Sequence, residues 1–258
     1  MKKFMLFLSV IMGQILFAGP QLAGLALESN TTAINLGESA LLTVSAAYAD
    51  GHTEEITDKI VWEITPADSA EIKGNILTAQ KDAQVNIKAK VENLVSDALV
   101  LDIYWEVNGH KLPPEPDKTL NDSTLLGIDV NHNDVRDDVE RWIYKTYDHP
   151  IERGIMLQNA HRLQIQISDI SKAHQYVKLS NKSLSCEYYL EEAYEWFKTK
   201  YEYTITSKEV KKIQFNTLKR HMAYERYNAE FNGEIFDEII EANKENCLFD
   251  ENGTLKDL

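Results

Sequence analysis

The spacing of apolar residues changes once along this chain, and that change constrains the fold more than any other feature. Up to about Tyr104 they recur at every second position. Leu42, Val44, Ala46 and Tyr48 alternate with Thr43, Ser45 and Ala47, as in a strand with one buried face. Ile60, Trp62 and Ile64 repeat the pattern, as do Val85, Ile87, Ala89 and Val91, and Asp50-Gly51 marks a turn. From about Val135 the steps become three and four. Met156, Ala160, Leu163, Ile167, Ile170 and His174 make one stripe along a long helix. Cys186, Leu190, Ala193 and Phe197 mark a second helix, Phe215, Leu218, Met222 and Ala229 a third, and Ile235, Ile239 and Ile240 a fourth. Short strands followed by helices predict a multidomain chain, an all-β sandwich and then an all-α bundle.

The switch is separated by residues 108–124, which hold Pro113, Pro114 and Pro116, half of the six prolines. Consecutive prolines favour an extended, stiff connection. The organisation expected is a β domain over 19–107, this linker, and a helical domain over 125–258. Residues 1–18 read as a signal peptide: Lys2 and Lys3 precede an apolar run from Phe4 to Phe17 that is short for a membrane span. Cleavage after Ala18 leaves the strand beginning near Leu22 intact. A site after Gly24-Leu25-Ala26 would remove most of it, and retention of the run as an anchor is the other alternative. No later segment is apolar enough to span a membrane.

Formal charge is −14, and loss of Lys2 and Lys3 makes the chain more acidic still. Such a surface repels phosphate backbones, which argues against nucleic acid as a partner. The two cysteines, Cys186 and Cys247, are expected to form a disulfide in an oxidising compartment. Two buried free thiols are the alternative. Closing so long a loop is worth about 4 kcal/mol in the chain-entropy model.

Ala33 to Thr57, AINLGESALLTVSAAYADGHTEEIT, resembles the opening of a bacterial Ig-like domain of the group 2 type. That pattern has a Gly-Glu/Ser turn, a Leu-Thr-Ala strand, a Tyr-x-Asp-Gly turn and then Ile-Thr. Val61-Trp62 is similar to the next strand, and Gly74 to Ala79 to the hairpin after it. The resemblance implies an Ig-like sandwich that acts as a spacer or binding module and carries no catalytic residue.

Residues 129–140, DVNHNDVRDDVE, place oxygen-bearing side chains at the alternating positions by which one short loop wraps a calcium ion. Asp129, Asn131 and Asn133 fill positions 1, 3 and 5, and Val135 offers its carbonyl at 7. Asp137 falls at 9, and Glu140 at 12 can give both oxygens. The segment resembles thrombospondin type 3 calcium repeats and dockerin-like half EF-hands over these residues alone. It departs from them at position 6, where Asp134 replaces the usual glycine; Asp tolerates left-handed backbone better than most residues. A capped helix is the competing account, with Asp134 as N-cap and Asp137 and Asp138 in the first turn. It leaves the alternation of Asp129, Asn131 and Asn133 unexplained.

Signals for catalysis are weak. His221 and Glu225 stand four apart, a spacing that suits an ion pair as well as metal ligation. His161 and His174 lie on one long helix, and Glu187, Glu191, Glu192 and Glu195 form an acidic face. No nucleophile elbow, zinc-protease motif or phosphate loop occurs. The expectation is a non-enzymatic, periplasmic, secreted or cell-surface binding or adhesion-type protein with calcium as its only cofactor and a protein or glycan partner. The rivals are a hydrolase with its site among His161, His174 and His221, and a periplasmic inhibitor or chaperone-like protein.

Overall fold

The computed structural model describes residues 20–201, 206–235 and 239–256, so the expected signal peptide lies outside the described residues. The chain forms two compact units. One takes the chain to Gln80 and Gln84–Asp102; the other takes Lys81–Ala83 and everything from Ile103.

The first unit is built from two five-stranded sheets. Its strands are β1 (Leu22–Ser29), β2 (Ala33–Asn35), β3 (Ser39–Tyr48), β4 (Thr53–Ile56), β5 (Val61–Thr65), β6 (Ala70–Lys73), β7 (Ile76–Ala79), β8 (Ala83–Val91), β9 (Leu94–Val95) and β10 (Leu99–Tyr104). One sheet runs β1-β3-β7-β6 with β4 also on β3, and the other β2-β10-β8-β5 with β9 on β8. Antiparallel register pairs Leu27 with Val44 and Ile64 with Ile87. The expected alternation holds: Leu42, Val44 and Ala46 of β3 and Val85, Ile87, Ala89 and Val91 of β8 are all buried. Tyr48 is only half-buried, stacked on His52. Trp62, on the edge strand β5, is half-buried too, its indole N–H donating to the Gly74 carbonyl.

The second unit opens with the hairpin β11 (Glu106–Val107) and β12 (His110–Lys111), followed by α1 (Lys118–Ser123), α2 (Asp137–Thr146), α3 (Pro150–Ser168), α4 (Ala173–Ala193), α5 (Glu195–Tyr201), α6 (Ser207–Gln214) and α7 (Leu218–Ala229). Val139, Ile143, Ile155, Met156, Leu163, Ile167, Leu190, Phe197 and Val210 form its core. Cys186 on α4 and Cys247 are joined in a buried disulfide. No described helix is long and apolar enough to cross a membrane.

Several helical expectations need correction. The stripe from Met156 breaks after Ile167, because the Asp169 side chain caps a new turn at Ser171 and α4 starts only at Ala173. His174 is therefore exposed, paired with Glu234 at 2.8 Å. The run Cys186 to Phe197 is divided between α4 and α5, and Ala193 is exposed. In α7 the expected stripe faces outward: Leu218 is 74% and Met222 48% exposed, whereas Arg220, Ala223 and Tyr227 are buried. Ile235, Ile239 and Ile240 lie in no helix among the described residues, and Ile235 and Ile239 are exposed.

The central helix α3 explains why periodicity misleads here. It is surrounded by its neighbours, so polar side chains are buried along with apolar ones. Gln158 donates to the Asn246 carbonyl and accepts from the Leu248 N–H. Asn159 donates to Glu187 and Thr206, Gln164 to the Leu126 carbonyl, and Gln166 to Ser180 and Tyr227. Each of these amide NH2 groups has a specific acceptor, as burial of a polar group requires, while the buried Gln166 Oε1 has no partner.

Candidate metal centre

The loop before α2 is fixed at both ends. Gly127 has φ +77°, and a Cβ there would come within 2.2 Å of the Arg136 side chain, so this position requires glycine. Arg136, fully buried, caps α6 by donating to the carbonyls of Ile213 and Gln214, and pairs with Asp138. Arg220, also fully buried, donates to the carbonyls of Leu125 and Asn121 and to Asp122. Two guanidinium groups thus fasten the loop and α1 to the bundle.

Within the loop the backbone turns through left-handed residues at His132 (φ +57°) and Asp134 (φ +56°), positions 4 and 6. The Asp129 carboxylate accepts from the backbone N–H groups of Asn133 at 3.3 Å and Asp134 at 3.0 Å. The Asn131 and Asn133 amide groups both donate to Glu140 Oε2, at 3.0 and 3.1 Å. Asn133 Oδ1 accepts from the Val135 N–H at 2.8 Å. Asp137 accepts from the Val130 N–H at 3.1 Å, while its own N–H donates to the Ile128 carbonyl. Val135, Asp137 and Glu140 are buried.

Helix α2 begins at Asp137 with Arg136 as N-cap, and no side chain caps it. Asp134 is therefore not the cap that the competing account requires. The loop brings the Asn131 and Asn133 amides onto one oxygen of Glu140, and folds the Asp129 carboxylate onto the backbone N–H groups of Asn133 and Asp134.

Electrostatics of the loop follow from its burial. Desolvation, and then the charges of Asp129, Glu140 and Asp138, push the Asp137 carboxyl up to about 6. Desolvation likewise raises that of Asp129. Among the described residues, no group of three or more His, Cys, Asp or Glu side chains is arranged to hold a metal ion. The loop's three carboxylates, Asp129, Asp137 and Glu140, are accordingly not gathered on one point; what converges is Glu140 with the amides of Asn131 and Asn133.

One residue of the site lies outside the motif. His110 Nε2 donates to Glu140 Oε1 at 2.7 Å from a position thirty residues upstream. The Asn108-Gly109 dipeptide signals the hairpin that carries it, but nothing in the sequence places that hairpin against Glu140. His110, Asn131, His132, Asn133, Asp134 and Glu140 line a cavity of about 420 Å³.

The other candidate residues are dispersed. His161 is buried on α3, 3.9 Å from Asp134, and desolvation lowers its pKa. His174 lies against Glu234 and Phe231, while His221 and Glu225 are exposed and make no ion pair with each other. His161, His174 and His221 therefore share no carboxylate. Of the acidic face, Glu187 accepts from Asn159 and Thr206, and Glu191 and Glu192 border a cleft of about 490 Å³ with Tyr188 and Lys198. Comparison with known families finds no matching family model, and comparison with curated proteins finds no match.

Proposed function

We propose that this chain is an exported, non-enzymatic binding or adhesion-type protein, in which an Ig-like sandwich is joined to a helical unit held together by one calcium ion. Asp129, Asn131, Asn133, Glu140 and the Val135 carbonyl are its ligands, with Asp137 bound directly or through water. The observation that carries this reading is the convergence of positions 3, 5 and 12: two amides meet one oxygen of a buried carboxylate. Those amides stand in for a cation. Half a turn of the Asn131 amide presents its oxygen to the same point, and Asn133 would do so by giving up the bond its oxygen accepts from the Val135 N–H, leaving a hard-oxygen environment that suits calcium.

The two-sheet architecture, with the alternating cores of β3 and β8, supports the Ig-like reading of the first unit. The disulfide supports an oxidising location, periplasmic, secreted or at the cell surface. The partner on this reading is a protein or a glycan.

Isothermal titration should give one calcium site per chain. Scanning calorimetry in calcium and in chelator should raise only the transition that belongs to the helical unit. Absence of binding heat, or an equal shift of both transitions, rejects the reading.

A further inference from the structure

Glu140 has two oxygens, and two different parts of the chain hold them. Oε2 belongs to the loop, through Asn131 and Asn133. Oε1 belongs to His110, and His110 is itself fixed from several sides. It is the first residue of β12 and pairs with Val107 across a two-residue turn, with Asn108 and Gly109 both left-handed. Its ring stacks on Tyr144, 5.2 Å between centroids. Tyr144 lies under the Arg153 guanidinium at 5.0 Å, and its hydroxyl is 3.3 Å from Thr254 Oγ1. Trp105, Val107 and Leu112, which flank the ring in sequence, pack on the core of the unit.

A carboxylate that gives both oxygens to an ion must be held against rotation about its last bond. Inside the loop, nothing restrains the outer oxygen of Glu140. We infer that His110 is a positioning residue of the calcium site, setting the plane of the Glu140 carboxylate for two-oxygen binding, and that calcium in turn orders the hairpin Glu106–Lys111. The inference rests on the calcium reading and extends it beyond the twelve-residue loop. Partners of this outer kind usually change metal affinity ten- to a hundredfold when removed. The same bond makes the hairpin depend on the cation, since an ion that fixes Glu140 also fixes what Glu140 accepts from.

The test compares calcium titrations of the whole wild-type chain, His110→Ala and His110→Gln, with hydrogen exchange of residues 106–111 measured in calcium and in chelator. Alanine removes the donor, whereas glutamine keeps an N–H group at similar reach. His110→Ala should bind calcium ten- to a hundredfold more weakly, and His110→Gln should recover most of that loss. Calcium should slow hairpin exchange in the wild type and not in the alanine variant. Wild-type calcium binding with unchanged affinity in His110→Ala overturns this inference alone. Tighter binding in that variant also overturns it, because His110 would then compete with the ion. Equal losses in both variants overturn the hydrogen-bond role, and no binding by the wild type overturns the calcium reading with it.

Discussion

Replacing Glu140 by glutamine tests the loop at its most telling side chain. The variant keeps the shape and the helix propensity of α2 but removes one charge and, on the calcium reading, the two-oxygen grip proposed for the ion. Without calcium two effects oppose each other. Glutamine keeps one acceptor oxygen, so either His110 or the Asn131 and Asn133 amides meet its NH2 group and must reorient or lose their bond, at about 1–3 kcal/mol. Against this, the buried carboxylate no longer repels Asp137, whose pKa its charge helps to raise. In chelator the variant should therefore lie within about 1–2 kcal/mol of the wild type. On the calcium reading, with calcium at a hundredfold its dissociation constant, the wild type should gain about 2.7 kcal/mol by linkage. For a unit of this size that is roughly 5–11 °C in melting temperature. Glutamine should lose nearly all of that gain. The assay is scanning calorimetry of both proteins in chelator and across a calcium series. A calcium-induced shift of the same size in wild type and variant refutes the assignment of Glu140 as a ligand.

Three further outcomes are expected. Non-reducing mass spectrometry should recover Cys186 and Cys247 in one linked peptide, and Cys186→Ser should destabilise the helical unit by about 2–4 kcal/mol in urea unfolding. Arg220→Met should cost about 3–5 kcal/mol by the same measurement, because the Leu125 and Asn121 carbonyls and Asp122 would lose a fully buried partner. In chelator, the ionisation of Asp137 should reduce stability as pH rises. Its folded pKa of about 6 lies above its ordinary value, so its contribution is full below pH 3.8 and is lost as pH passes through about 6. Asp137→Asn should remove that slope from pH-dependent melting curves, and an unchanged slope would show that another group sets it.

The parts of this fold legible in the sequence are those governed by local rules. The strands β3 and β8 have one dry and one wet face, so alternation marked their buried residues correctly. The loop is compact, so spacing alone set Asn131, Asn133 and Glu140 against one another as candidate ligands. Elsewhere the interior is partly polar, and counting apolar residues fails. In α7 the apolar Leu218 and Met222 face water while Arg220 faces inward, because its guanidinium serves the carbonyls of α1 and the loop. Long-range hydrogen bonds of that kind leave no period in a sequence. His110 was hidden for the same reason: its partner lies thirty residues away. The break between α3 and α4 was readable in principle, since Asp169 with Ser171 is a cap signal inside the apparent stripe.

A helix packed only by aliphatic side chains can rotate or slip by a turn into arrangements of nearly equal energy, since one methyl group resembles another. Helix α3 has no such freedom. Its amides address four different places, the Asn246–Leu248 stretch, Glu187 with Thr206, the Leu126 carbonyl, and Ser180 with Tyr227. Any displaced register strands these groups without partners, at about 1–3 kcal/mol each. Competing arrangements of the bundle are thereby lifted well above the native one. The helix that sequence periodicity describes least well is the one that leaves this unit a single way to pack.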